Sequence, residues 1–491
     1  MITSLLTSRI PSPNCIVPFF FMMMVGVMTA VPGAVAGPST QSGIASPPAG
    51  GRDVLSLQQA IRAALEYNHG LRISRIETEK ADNSATRGNA GQYPGLSLSG
   101  QLTQSYTDVE ITPGSLLPTG SSGQPASTRS IDGVNGTQAD AGLAAEYIIY
   151  DGFQSRLRYA LLQNGARETR LQQRAAAETT ILDITRRYLA LAGLQQQIDV
   201  QETQLQQSRQ RYRTAEARRE YGQASGQQRL QALADLNTDS TDYRNLQTEY
   251  DQAYRELHAA IGWDERLPGR VETQLDPAQT GSESNLLPGS THDYRASLEA
   301  MMRDNTTLRR QQQRIEAAEL QQELARAARY PRLTATARYG YSYERSDIGL
   351  FEEQQRLGAS GSIGLQVPIF TGGQRRIREQ NAEASRRQAE INRQQTRLEL
   401  RSRFENIRQE LQHLRRQLQS EAANSNIYRR NYERAQAAFR EGQISGVELR
   451  SAQLGLQQSR LRYIRTHYQL RLNDTLLRYL SGQLLQETAS L

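Results

Sequence analysis

The sequence predicts a mainly α-helical fold that carries transmembrane β-strands and is internally duplicated, on three observations. The chain matches itself at fixed offsets. Within each copy the hydrophobic period switches from that of a helix to that of a strand and back. The composition suits neither an ordinary core nor a helical membrane bundle. Over 491 residues the hydrophobic fraction is 37%, below the roughly 45–50% of globular domains. After residue 36 no run reaches the ~18 apolar residues that a spanning helix needs. The 22 Tyr are too many apolar-bodied rings for a disordered chain.

At the N-terminus, Arg9 precedes an apolar run from Ile16 to Val31, and Ala34-Val35-Ala36 has the small residues of an export cleavage site. Residues 1–36 are therefore expected to be a signal peptide, with 37–53 a flexible segment before the fold begins. Cys15, the only cysteine, lies ahead of the apolar run. A lipoprotein cysteine would follow that run. The mature chain then has no cysteine, which excludes disulfides, thiolate catalysis and cysteine metal sites.

Self-similarity sets the organisation. Tyr93-Pro94 matches Tyr330-Pro331, and Leu71-Arg72 matches Leu308-Arg309, both 237 residues apart. Tyr150-Asp151-Gly152-x-Gln154 then matches Phe370-Thr371-Gly372-x-Gln374 at 220. The same 220 relates Gly222-Gln223-Ala224-Ser225-Gly226 to Gly442-Gln443-Ile444-Ser445-Gly446, and Gly262 to Gly482. Two copies follow, 54–262 and 293–482, joined by a linker over 263–292 with Pro268, Pro277 and Pro288 and followed by a tail, 483–491. The change of offset falls on a Pro- and Gly-rich stretch, about Thr107 to Thr137, expected as an exposed loop of the first copy.

Each copy should open with a helix, over 56–92 and 293–328. A strand pair follows. Leu96, Leu98, Leu102 and Tyr106 alternate with Ser97, Ser99, Thr103 and Ser105. Ala141 to Ile149 and Ile363 to Ile369 repeat the pattern, giving strands of about 10–14 residues, near the length of a tilted membrane strand. Tyrosines at the strand ends suit an interfacial girdle, while an ordinary soluble hairpin would show the same alternation. Long helices come next, Phe153–Tyr221 and Gly373–Glu441, each roughly 100 Å at 1.5 Å per residue. Half-length helices, Gln227–Ile261 and Val447–Leu480, return. Their sparse apolar residues suit a single wall wet on both sides.

The charge and motif content exclude most chemistry. The net charge is +7, and Lys80 is the only lysine, so no phosphate-binding loop exists. The arginines alternate with Glu, Asp and Gln, which reads as solvated helix faces and not as a nucleic-acid surface. His69, His258, His292, His413 and His467 lack metal-ligand spacing. No catalytic motif, metal site or cofactor is expected, and energy for any transport must come from a partner.

The duplicated strand pairs, the Tyr-Pro junctions, the Asp151-Gly152 and Thr371-Gly372-Gly373 turns and the two Gly-Gln-x-Ser-Gly tips resemble the TolC-like outer-membrane efflux and secretion proteins, over about residues 54–483. That resemblance implies a homotrimer in which four strands per protomer close one barrel in outer-membrane lipid, with coiled-coil-like helices continuing as a periplasmic tunnel. It implies that 263–292 packs around the tunnel's middle. A free-edged four-stranded sheet cannot span a membrane, so oligomerisation also follows from the strands themselves. The implied role is the exit duct of a tripartite export system, driven by an inner-membrane transporter through a periplasmic adaptor. Gly222, Ser225 and Gly226, with Gly442, Ser445 and Gly446, are candidates for adaptor docking, their other reading being plain helix turns. Glu448 and Ser451 are candidates for the pore constriction; Ser451 stands where the family pattern has a second carboxylate, and Glu448 also reads as an ordinary helix residue. An exported coiled-coil interaction protein without a pore is the alternative, and within the family both protein and small-molecule cargo stay open.

Overall fold

The computed structural model describes residues 54–111, 129–222, 225–263, 269–273, 294–347 and 352–485. The expected signal peptide and segment 37–53, the centre of the expected first loop, most of the linker and residues 486–491 lie outside them. In chain order the first copy has β1 (Val54–Leu55), α1 (Leu57–Tyr67), α2 (His69–Ser84), β2 (Gly95–Ile111), β3 (Arg129–Tyr150), α3 (Gln154–Glu220) and α4 (Gly226–Ile261). After β4 (Arg270–Val271), the second has α5 (Tyr294–Asp304), α6 (Thr306–Ala327), β5 (Arg332–Ser346), β6 (Glu353–Gln366), α7 (Gln374–Arg440) and α8 (Gly446–Leu480).

The long helices α3 and α7 are 67 residues each, and α4 and α8 are 36 and 35. α3 packs against α2, α4, α6 and α8, while α7 packs against α6 and α8. The wall so formed has α2 and α4 at one edge and α7 at the other.

The helices expected over 56–92 and 293–328 are each broken, at Asn68 and Asn305, which lie 237 residues apart. Asn68 Oδ1 accepts from the Leu71 amide at 2.9 Å, and Asn305 Oδ1 accepts from Thr307 and Leu308 at 3.0 and 3.2 Å, so each caps a new helix. The same side chains donate to the orphan carbonyls of Ala260 (2.7 Å) and Leu480 (2.9 Å), where α4 and α8 end. There Gly262 and Gly482 adopt φ +74° and +72°, and a Cβ would stand 2.9 Å from Tyr67 O and 2.7 Å from Asp304 O. These twin junctions explain why two half helices stack as one partner of a long helix.

Apolar residues are concentrated there instead of being spread thinly along the wall. One core gathers Ile184, Tyr188, Leu191, Leu257, Ile261, Ile464 and Tyr468, and the other Met301, Phe404, Leu411, Leu414, Leu418 and Leu477. The described end of the linker joins the first: β4 pairs parallel with β1, and the Tyr188 hydroxyl donates to Leu55 O at 2.9 Å and Glu272 O at 3.1 Å.

The sheet order is β2-β3-β5-β6, antiparallel throughout. β2 and β3 are 17 and 22 residues long, beyond the expected 10–14. Thr107–Ile111 and Arg129–Thr137, expected as loop, continue the ladder. A bulge at Asp108 makes this feasible: its Oδ1 accepts from the Gly133 amide at 2.7 Å, with Gly133 at φ +75°. β6 ends at Gln366, before the expected alternation does, because Pro368 has no amide hydrogen for the ladder.

Candidate functional site

Register gives the sheet two chemically distinct faces. Leu98, Leu143, Tyr339 and Ala359 are directly paired across four strands, as are Leu96, Ala145, Ala337 and Gly361. Tyr341, Leu357, Ile363 and Leu365 share that face by the period of 2. Its apolar side chains stand in solvent in the lone chain, with Leu98 78% and Ile363 72% exposed. The opposite face carries Ser99, Gln101, Asp140, Glu146, Arg338 and Ser360, and Thr336 and Ser362 share a 2.7 Å hydrogen bond there. An apolar face four strands wide backed by a polar one is the wall of a membrane barrel with a wet interior. β2 and β6 present unpaired edges. Among the described residues no helix is long and apolar enough to cross a membrane.

At the far ends of the long helices lie the two tips. Gly222 (φ +70°) and Gly442 (φ +75°) turn the chain in the left-handed region. Ser225 and Ser445 begin α4 and α8 through capping boxes: Ser225 Oγ accepts from the Gln228 amide at 3.3 Å while Gln228 Oε1 accepts from the Ser225 amide at 3.2 Å. Ser445 and Glu448 repeat this at 3.3 and 2.7 Å. Gly226 and Gly446 are the first residues of their helices. The tips are neighbours, since the Arg218 guanidinium stands 5.4 Å over the Phe439 ring. Glu448 is exposed with its carboxylate held toward the helix start, and Ser451 is exposed one turn on.

A group invisible to motif reading lies just behind the tips. Arg450 of α8 donates to both oxygens of Asp239 of α4, at 2.8 and 2.7 Å, and Ser208 of α3 donates to the same carboxylate. Arg211 donates to Ser208 Oγ at 2.8 Å and stands 3.6 Å from Asp235. Asp239 is 2% exposed and Ser208 fully buried. Burial, then the adjacent Arg450 charge, pushes the Arg211 guanidinium below its usual range, and Asp235 and Asp239 oppose that shift. Gln453 and Gln457 of α8 extend the seam to Gln207 and Gln201 of α3 at 2.7 and 2.5 Å. The one available signal was asymmetry: at the 220 offset Asp235, Asp239 and Arg450 correspond to Gly455, Ser459 and Leu230. Among the described residues no group of His, Cys, Asp or Glu could hold a metal ion.

Comparison with solved structures finds the same fold. CusC aligns at TM-score 0.66 and 19% identity over 87% of this chain and 92% of that one. The Campylobacter jejuni CmeC outer membrane channel aligns at 0.67 and 16% over 87% and 86%, and the Neisseria gonorrhoeae MtrE outer membrane channel at 0.63 and 17% over 87% and 89%. Comparison with curated protein sequences returns no match. The family described as outer membrane efflux protein matches residues 60–263 and 298–483, which cover both copies, their strands and their tips. The chain therefore belongs to the outer membrane efflux protein family and is an outer-membrane channel that extends into the periplasm.

Proposed function

We propose that three copies of the chain close one barrel of twelve strands and form the passive exit duct of a tripartite efflux system. The observation that carries this is the sheet, whose apolar face is exposed four strands wide and whose β2 and β6 edges are unpaired. Neither feature is stable in a lone chain, and edge-to-edge closure by further copies removes both. The two copies, 54–262 and 293–482, each contribute one strand pair and one helical hairpin, and the described residues of the linker, 269–273, lie beside Tyr188. An inner-membrane transporter supplies the energy and a periplasmic adaptor grips the tips at Gly222, Ser225, Gly226, Gly442, Ser445 and Gly446. Three copies of Glu448, with Ser451 beside them, narrow the periplasmic mouth. The chain works as a duct and not as an enzyme.

Deleting the gene and measuring both small-molecule sensitivity and the secreted proteome tests this reading. Efflux predicts hypersensitivity with an unchanged secretome. Loss of secreted proteins alone would make the cargo protein, and release of the chain from membranes without detergent would favour the pore-less coiled-coil alternative.

A further inference from the structure

At the base of the second strand pair, between the end of α6 and the start of α7, lies an open hollow of about 330 Å³ lined by Arg326, Arg329, Arg375 and Arg376, with Glu379 its single acidic side chain. Glu379 is shared, standing 2.9 Å from Arg326 and 3.6 Å from Arg329. Arg375 donates from Nε to Thr371 Oγ1 (3.2 Å) and from one terminal nitrogen to Ile369 O (3.0 Å). Arg376 is exposed and has no hydrogen-bond or ion-pair partner among the described residues. Four guanidiniums against one carboxylate leave a cationic hollow.

Its place in the fold says what kind of anion would meet it. β5 begins at Arg332, just after Arg329, and β6 ends at Gln366, just before Phe370. The apolar face of the sheet thus runs down through Leu333 and Leu365 and stops at the cavity. Between them stand Ile369 and Phe370, 89% and 85% exposed. Apolar anchors on the membrane side and arginines immediately below reproduce the order of acyl chain and headgroup in a phospholipid.

The first copy lacks this arrangement. At the repeat offsets Arg326, Arg329 and Arg375 correspond to Asn89, Gln92 and Ser155. Thr371 corresponds to Asp151, whose carboxylate is 5% exposed and accepts from the Ser155 amide at 2.7 Å. The first junction keeps an arginine, Arg156, at the position of Arg376, but it has the buried Asp151 carboxylate where the second has Thr371, and it lacks the other three arginines of the hollow. Three of the four lining arginines are therefore not imposed by the duplicated fold.

We propose that this cavity binds the phosphate of an anionic phospholipid headgroup at the periplasmic surface of the outer membrane, with Arg329 and Arg376 as its principal contacts and Ile369 and Phe370 against the acyl chains. The inference rests on the sheet being the membrane wall, which recovery of detergent-extracted trimer reports separately. The test is native mass spectrometry of the full trimer titrated with phosphatidylglycerol, phosphatidylethanolamine or inorganic phosphate. Phosphatidylglycerol should be retained over phosphatidylethanolamine by roughly tenfold, since charge-assisted bonds to a net anion are the strong ones. Arg329→Gln with Arg376→Gln should abolish that preference while leaving the trimer intact. Should the glutamine pair fail to assemble, Arg329→Lys with Arg376→Lys keeps the charge and should keep the preference. Equal retention of the two lipids, an unchanged preference in the glutamine pair, or displacement of phosphatidylglycerol by equimolar inorganic phosphate would each overturn the assignment.

Discussion

Arg450 in the second copy of the repeat holds both carboxylate oxygens of Asp239 in the first, 211 residues away in sequence. The pair is nearly dry, with side-chain exposures of 13% and 3%, and ties α8 to α4 just behind the tips. Removing one partner of such a pair leaves the other charge buried and costs about 3 kcal/mol. Arg450→Ala should therefore lower thermal stability and, by freeing one hairpin from the other, raise single-channel conductance in planar bilayers. Arg450→Met with Asp239→Leu separates the two effects: stability should recover while conductance stays high. Unchanged conductance in both would mean that the pair has no part in shaping the mouth.

Glu448 offers a clean charge test because its counterpart, Gln228, makes the same capping contact without a charge. Glu448→Gln should preserve the cap and the melting temperature while lowering the preference for cations, read as a shift in reversal potential. Glu448→Ala should in addition cost about 0.5–1 kcal/mol, because the capping box loses its reciprocal bond. Unaltered selectivity in the glutamine variant removes Glu448 from the constriction.

The internal repeat supplies a template for the contact between copies. Within the chain, α3 meets α6 through Asn164 and Gln313 (3.1 Å), Glu168 and Arg314 (3.1 Å), and Glu178 and Thr306 (2.8 Å). Shifted by the repeat offsets, that seam sets α7 against α2 of the next copy, with Ile391 opposite Ile73. Both are exposed in the lone chain, at 61% and 58%. Ile73→Cys combined with Ile391→Cys should give a covalent trimer on mild oxidation, and each single variant should not. A ladder that stops at dimer, or no cross-link, rules out this register.

His467 is 3% exposed, and neither ring nitrogen has a hydrogen-bond partner. Burial, and next the Arg471 charge, lower its pKa to about 4. The neutral ring is favoured by folding, so its contribution is intact above the unfolded value of about 6.5 and is lost as pH falls from there toward 4. Between pH 7.5 and 5.0 the loss should be about 2 kcal/mol. His467→Phe should flatten the urea midpoint over that interval; an equal slope in both proteins would place the pH dependence elsewhere.

Much of this architecture was legible because its causes are local or periodic. Tyr93-Pro94 and Tyr330-Pro331, the two strand alternations and the two glycine tips report duplication, membrane-type strands and helix turns through chemistry within a few residues of each other. The breaks at Asn68 and Asn305 lay within reach, since both asparagines sit at the same repeat offset, but an asparagine inside a helical pattern signals a cap only when a second helix end is known to arrive beside it. The strand lengths were short in expectation because Gly133 and Gly136 read as loop, whereas pairing with β2 turned Gly133 into part of a bulge.

By itself the sequence determined the duplicated order of helix, strand pair, long helix and returning half helix, because hydrophobic period, glycine and proline act on the segments that contain them. Only the tertiary structure decided which side chains meet across the wall. Asp239 with Arg450, the carbonyl of Leu480 with Asn305, and the arginine-lined hollow below Phe370 depend on register between helices 211, 175 and 53 residues apart. No local pattern encodes that register, because it is set by how α3 seats α2 and α4 on one side and, with α7, holds α6 and α8 on the other.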